Sequence, residues 1–273
     1  MEVEAEAPVR SLTRAQASLL RLLLHDKKTR TQEGAFVMEG AKSCLTLIRR
    51  HPHAILSLTL SSRYLKAEHA AERRIRIKLA ARQFLCSDAV FGKLSDVESP
   101  QGMLAVVRQP QWDEAQILGQ TRVLGIYGDQ VRDPANVGAI IRTAAALNLT
   151  GVWLSSDSAD CFSPKVVRAT AGAVLAIPIF RTQNIRTFSR HRCSVYSALV
   201  PSPGTVPLKS IQTIPRRLMI AVGNEGRGLS PDLVKQSDVR FSIPLAREVE
   251  SLNVASAVAI SAFYFSDLPT EPC

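Results

Sequence analysis

Cysteine is scarce and unpatterned in this sequence: Cys44, Cys86, Cys161, Cys193 and Cys273 stand far apart, odd in number and without a C-x-x-C. That set encodes neither a disulfide framework nor a zinc ribbon, and no metal is expected. Long apolar runs are missing too. Ala171–Ile179 and Val254–Phe265 fall well short of the ~20 residues that cross a bilayer, so no membrane partner is expected. There is no internal repeat of fixed period and no low-complexity tract. The opening residues, Met1 to Pro8, alternate acidic with small side chains. They lack the basic-then-apolar order of a signal peptide and the arginines of a transit peptide. The expectation is a cytoplasmic protein with a short disordered N-terminus over residues 1–10.

What is present is enough for a real core, since 46% of the 273 residues are hydrophobic. Net charge is +10, which favours a polyanionic partner, because basic surface attracts phosphate backbones and releases their counterions. The excess is uneven. Up to Pro110 there are 18 Lys and Arg against 11 Asp and Glu, and beyond it 16 against 13. The N-terminal part is therefore read as the substrate-gripping part.

Two prolines in the polar stretch Gln109-Pro-Gln-Trp-Asp-Glu mark a linker over 109–120, between a domain at 11–108 and another at 121–273. In the first, periodicity predicts strands at Ala35–Met38, Ala54–Leu60, Gln83–Cys86 and Met103–Val107. Helices are predicted at Leu12–Leu24, Ala41–Arg50, Arg63–Ile77 and Asp88–Leu94. In the second, a strand at Arg122–Tyr127, a helix at Val137–Leu147 and a strand at Gly151–Leu154 form a βαβ unit. Further strands are predicted at Ala173–Ile179, Ser194–Leu199, Arg217–Val222 and Val239–Leu245, with a closing helix at Leu252–Phe265. The fold class is α/β, a parallel sheet covered by helices. The closing helix has no charged face and must be covered all round, by its own sheet or by a partner subunit.

Three constellations carry candidate chemistry. In the first, Asp129 to Ala146, Asn136 is placed to cap a helix, Gly138 allows close approach, and Arg142 lies one turn beyond that glycine. A capped, tightly packed helix is the plain alternative. Yet a charge at Arg142 on a mostly apolar helix asks for a reason. The second, Gly223-Asn-Glu225-Gly-Arg-Gly228, follows a hydrophobic strand. Its G-x-x-G-x-G spacing is neither the dinucleotide loop nor the triphosphate loop, but such a turn exposes backbone N–H and C=O groups to a ligand. The third runs from Phe241 to Asn253. A strand ends at Pro244, Ser251 suits an N-cap for the closing helix, and Asn253 is left over among apolar residues.

In that order, N-x-G-x-x-x-R, G-N-E-G-x-G and I-P-x(6)-S-L-N resemble the three motifs of the SpoU/TrmH family of RNA ribose 2′-O-methyltransferases, within the SPOUT superfamily. Ser163-Pro-Lys-Val-Val-Arg168-Ala-Thr-Ala-Gly172-Ala is similar to the stretch between its first two motifs. Phe36-Val-Met-Glu-Gly40 and Ser99-Pro-Gln-Gly102 resemble the small α/β RNA-binding domain that many members carry in front. The resemblance implies a C-terminal methyltransferase domain tied in a deep trefoil knot, an exception to the rule that chains avoid knots. It implies S-adenosyl-L-methionine held by Gly223, Ile243 and Leu252 with neighbours Leu245 and Val254, a catalytic Arg142 with Asn136, Glu225, Ser251 and Asn253 around it, and a homodimer. Arg247 stands where many members have glycine.

The implied reaction moves a methyl group to a ribose 2′-hydroxyl, the group that distinguishes RNA from DNA. Arg142 would act as a base or stabilise the forming alkoxide; a guanidinium is a poor base in water, so stabilisation is favoured. Ribosomal RNA is preferred to transfer RNA by resemblance alone. Arg49, Arg50, Arg73, Arg74, Arg76, Lys78, Lys165 and Arg168 are candidate RNA contacts, with a solvated helix face as the alternative for each. A non-catalytic RNA-binding or ribosome-assembly factor on the same fold is the competing function. A nicotinamide-dependent oxidoreductase lacks the required glycine spacing and the acidic residue that should follow it.

Overall fold

The short apolar strands of the N-terminal third gather into one mixed sheet. In the computed structural model, which describes residues 9–182, 185–246 and 249–271, the chain divides into two units. The first holds residues up to Pro110 together with Phe162–Gly172, and the second holds Gln111–Cys161 and Ala173 onward. Arg247 and Cys273 lie outside the described residues.

The first unit begins with β1 (Val9–Ser11), α1 (Arg14–His25), α2 (Lys27–Glu33), β2 (Ala35–Glu39), α3 (Ala41–Arg50) and β3 (Ile55–Ser61). It continues with α4 (Ser62–Ala67), α5 (Ala70–Arg76), β4 (Arg82–Cys86), α6 (Asp88–Leu94) and β5 (Met103–Arg108). The sheet order is β1-β4-β3-β5-β2. β4 runs parallel to both of its neighbours and β5 antiparallel to both of its own. Leu20, Leu23 and Leu24 of α1 bury against Val37, Phe91 and Leu104, and a Thr13/Gln16 capping box starts that helix. Val9 and Arg10, expected in a disordered terminus, pair with β4 instead.

The helix expected at Arg63–Ile77 is two helices, broken at Glu68 and His69, whose backbones are extended. The break turns the Glu68 carboxylate back onto Arg76, two residues that a continuous helix would hold about 12 Å apart along its axis. Arg76 Nε and Nη2 donate to the two carboxylate oxygens at 2.6 and 2.8 Å, and Nη1 donates to Gln83 Oε1 at 2.7 Å. Arg76 is thus buried and committed internally, which corrects its assignment as a phosphate contact. Arg49, Arg50, Arg73, Arg74 and Lys78 are exposed, and their helices α3 and α5 pack side by side.

The second unit opens with α7 (Glu114–Leu118), β6 (Val123–Gly128), α8 (Pro134–Ala146) and β7 (Gly151–Ser155). α9 (Pro164–Ala169) belongs to the first unit. β8 (Ile179–Thr182), α10 (Arg186–Arg190), β9 (Ser194–Ala198), β10 (Val206–Pro207), β11 (Arg217–Val222), α11 (Pro231–Lys235), β12 (Val239–Ser242) and α12 (Val254–Ser266) complete it. Its sheet is parallel throughout, in the order β10-β12-β9-β11-β6-β7-β8. The Trp153 ring lies over Gly125 and Gly151, where a β-carbon would collide with it, and Trp153 Nε1 donates to Glu114 Oε1 at 2.8 Å. With Leu118 fully buried, α7 is part of this core, so the expected linker at 109–120 is shorter.

Two more expectations fail locally. Ala173–Ile179 is not a strand: a short 3-10 turn covers Ala173–Leu175 and β8 starts only at Ile179. Positive φ at Ala171 and Gly172 turns the chain there, and Pro178 has no N–H for a ladder. The Ser163–Gly172 stretch, which carries the candidate RNA contacts Lys165 and Arg168, contains α9, with Phe162 against Phe36 at a centroid distance of 5.1 Å. Arg168 Nη2 donates to Asp96 at 3.0 Å and its Nη1 lies 4.0 Å from the Glu39 carboxylate. Arg168 is therefore anchored within the unit rather than offered to RNA, while Lys165 stays exposed.

Removing one member of a buried ion pair costs roughly 3–5 kcal/mol. Arg76→Ala is accordingly expected to lower the urea midpoint of the full chain markedly, and an unchanged midpoint would contradict the burial described for this pair.

Candidate active site

Because every strand of the second sheet runs the same way, the segments that follow β6, β9, β11 and β12 leave from one edge, the edge where open α/β sheets place ligands. After β6, buried Asp129 accepts from Ser230 N at 2.8 Å, and Gln130 adopts φ +55° with its N–H on Ser155 Oγ at 2.8 Å. Asp133 then caps α8, its carboxylate accepting from Ala135 N at 2.9 Å, and Pro134 occupies the first turn.

The cap is thus Asp133, correcting the expectation that Asn136 fills that role. Freed from it, buried Asn136 donates from Nδ2 to Glu225 Oε1 at 2.9 Å and accepts at Oδ1 from Asn253 Nδ2 at 2.9 Å. Asn253, not Ser251, caps α12: its Oδ1 accepts from Ala255 N at 2.8 Å and from Ser256 N at 3.3 Å. One asparagine therefore starts a helix and joins a network, because its two amide ends serve different partners. Ser251 is exposed. The three motifs, separated by up to 117 positions, are linked through three side chains.

Glu225 is the centre of that chain. Burial works to raise its carboxyl, but hydrogen bonds from the Asn136 side chain and from the backbone N–H groups of Glu225, Asp133 and Arg132 outweigh it and hold the group below the ordinary value of 4.5. Asn224 ties the same turn together. Its Oδ1 accepts from Gly226 N and Arg227 N at 3.0 Å, and its Nδ2 donates to Gln130 O at 2.9 Å.

A cleft of about 720 Å³ opens beside this chain. Gly223, Ile243, Leu245, Leu252 and Val254 all line it, as do Glu225, Ser251 and Asn253. A β-carbon on Gly223 would overlap the backbone of Gly228 and Leu229, so the loop doubles back on itself only with glycine there. Asn136 and Arg142 are not in the lining. Arg142 is exposed on α8, and its guanidinium has no hydrogen-bond or ion-pair partner among the described residues. Reading the motifs missed Ala198–Pro201, which also line the cleft. They lie at and just beyond the end of β9, and only the pairing of β9 between β11 and β12 brings them in; no motif marks them.

The family model described as the SpoU rRNA Methylase family matches residues 124–263, and one described as an MRM3-like substrate binding domain matches residues 21–105. The 23S rRNA (guanosine(2553)-2'-O)-methyltransferase RlmP of Bacillus subtilis is 30% identical over 88% of this chain and 92% of its own. Among solved structures, an AdoMet-bound rRNA methyltransferase from Sinorhizobium meliloti is 28% identical over 94% of this chain and 95% of its own, with a TM-score of 0.77. A putative RNA methyltransferase of the TrmH family from Porphyromonas gingivalis is 31% identical over 93% and 98%, with a TM-score of 0.75.

Gly223→Ala is expected to weaken binding of S-adenosylmethionine by about tenfold or more, on the order of 1.4 kcal/mol, as read by calorimetry; wild-type affinity would show that the loop tolerates the β-carbon. Because the folded carboxyl of Glu225 is held low, its contribution to stability is present above pH 4.5 and is lost as pH falls through the lower folded value. Glu225→Gln should flatten that acid limb of a stability–pH curve, and a variant curve parallel to wild type would refute the assignment.

Proposed function

The chain belongs to the SpoU rRNA methylase family, and we propose that it transfers the methyl group of S-adenosylmethionine to a ribose 2′-hydroxyl of ribosomal RNA. The observation that carries this reading is the Asn136–Glu225–Asn253 chain, which ties the three motifs together beside a cleft suited to the cofactor. The rRNA 2'-O-methyltransferase activity named for the Bacillus subtilis relative sets the preference for ribosomal over transfer RNA.

The cleft fits that cofactor on its own residues. Main-chain groups of the 223–228 turn and the apolar side chains of Ile243, Leu245 and Leu252 suit an adenine, and Glu225 and Glu250 offer carboxylates to polar groups. When bound, S-adenosylmethionine supplies a methyl group already activated by its sulfonium. The 2′-oxygen is the weak partner, since an alcohol is scarcely ionised near neutral pH. The hydroxyl proton would pass to solvent water as that oxygen takes the methyl group. Arg142, always cationic, stabilises the developing alkoxide rather than accepting the proton. Asn136, fixed at both ends, together with Glu225 and Asn253, holds the start of α8 in place, and Ser251 offers a hydroxyl on the cleft wall.

The first unit grips RNA in this reading, through Arg49, Arg50, Arg73, Arg74, Lys78 and Lys165, consistent with the substrate-binding family model over 21–105. A second copy of the chain covers α12, whose inner face packs on β11 and α8 while Ile260 and Phe263 are 43% and 67% exposed. The threaded C-terminal segment and a cytoplasmic location belong to the same reading.

Arg142→Ala should lose turnover on unmodified rRNA transcripts, with S-adenosylmethionine affinity by calorimetry unchanged; a fully active variant would sink the role. Methyl transfer to transfer RNA transcripts alone would replace the substrate. A wild-type chain that binds RNA but gives no heat with S-adenosylmethionine would be a non-catalytic binder.

A further inference from the structure

Arginines of the second unit fall into two sorts. Arg181 gives four hydrogen bonds to the carbonyls of Ser155, Ser156, Ser158 and Ala159, at 2.6 to 3.1 Å. Arg217 donates to the carbonyls of Gly119, Gln120 and His191, and Arg240 to that of Val234. These cations hold loops together. Arg132 and Arg227 differ. Both are exposed, and their guanidinium groups have no hydrogen-bond or ion-pair partner among the described residues.

The backbones that carry them, by contrast, are held. Arg132 sits between Val131, whose N–H donates to Ser158 Oγ at 3.1 Å, and Asp133, whose N–H donates to Glu225 Oε1 at 3.3 Å. The Arg227 N–H bonds to Asn224 Oδ1 at 3.0 Å. The loops that carry them are also cross-linked directly, by Asn224 Nδ2 on Gln130 O at 2.9 Å and by Asp133 N on Glu225 at 3.3 Å. Asn224 and Gly228 close the second loop through two backbone bonds of 2.9 Å. Two uncommitted guanidinium groups thus project from one rigid platform, whose centre is the carboxylate that positions Asn136. Arg227 also lines the cleft.

We propose that Arg132 and Arg227 form a phosphate clamp that grips the RNA backbone on either side of the ribose being methylated. The inference rests on the proposed methyl transfer to RNA and adds the contacts that hold the acceptor nucleotide. A guanidinium suits this task because its planar fork matches two phosphate oxygens and keeps its charge at every physiological pH. Fixed backbones reduce the ordering that such contacts would otherwise require. The clamp carries no base information, since phosphate contacts set register and bases set sequence. Choice of nucleotide therefore lies elsewhere, while correct placement of the 2′-oxygen depends on these two residues.

The test uses the full chain with Arg132→Gln/Arg227→Gln, the corresponding double lysine variant and Arg190→Gln, an exposed arginine of α10, as control. Affinity for an unmodified rRNA transcript is measured across a salt series, alongside S-adenosylmethionine affinity by calorimetry. Loss of two single-strand phosphate contacts should lower the log–log salt slope by about 1.4 and weaken RNA binding roughly tenfold at moderate salt. Cofactor affinity should be unchanged, the double lysine variant should retain the slope, and Arg190→Gln should match wild type. Unchanged RNA affinity and slope in the glutamine variant would overturn the clamp. A loss of S-adenosylmethionine affinity would assign Arg227 to the cofactor instead and overturn it equally. Should the wild-type chain methylate no RNA, the catalytic reading fails, while the salt slope still decides the phosphate assignment.

Discussion

Asn136 has one amide and two obligations. Its Nδ2 faces a carboxylate and its Oδ1 faces a second amide, and no other side chain of its length offers a donor and an acceptor at one end with fixed geometry. The site's order depends on that pairing. Glu225 must stay ionised to accept from Asn136 and from the neighbouring backbone N–H groups, and these hydrogen bonds are what keep it ionised against partial burial. Asn253 must start α12 and reach across to Asn136 at once. Each residue is constrained by the next.

The chain's physical effect is to fuse three segments that leave the same sheet edge. Asn224 and Asp129 also join the turn after β6 to the turn after β11, but it is the Asn136–Asn253 bond that ties the entry of α12 to them. With it, the cleft has one rigid wall. Gly223 adds a steric condition, because the 223–228 turn folds back so closely that a β-carbon has no room. Rigid loops around a cleft suit chemistry in which a weak nucleophile must meet an already activated electrophile in line. Positioning and charge, rather than proton abstraction, carry the catalysis in that case.

The first unit illustrates a different economy. It is the more basic part of the chain, yet two of its candidate RNA-binding arginines are spent on structure, Arg76 on buried Glu68 and Gln83, Arg168 on Asp96. Both have acidic partners well separated in sequence, at eight and 72 positions. Charge counting sees the cations and not the pairings. The same holds in the second unit for Arg181 and Arg217, which serve backbone carbonyls.

Much of the fold was legible from residue order alone. Period-2 and period-3.6 patterns are local, so α3, α6 and β11 appear with the bounds read from them, and the family resemblance named Gly223, Ile243, Leu245, Leu252 and Val254, which line the cleft. Local pattern was blind where distant partners decide. It could not assign Asp133 rather than Asn136 as the cap of α8, because both are good caps and only the Glu225 and Asn253 side chains distinguish them. It could not see that Phe162–Gly172 belongs with the first unit, or that Ala198–Pro201 border the cleft, since those facts follow from packing and strand order. Sequence by itself determined the main strands and long helices, the motifs and the family. Tertiary structure alone decided which polar groups meet, because a hydrogen bond depends on distances of about 3 Å between residues that the chain keeps a hundred positions apart.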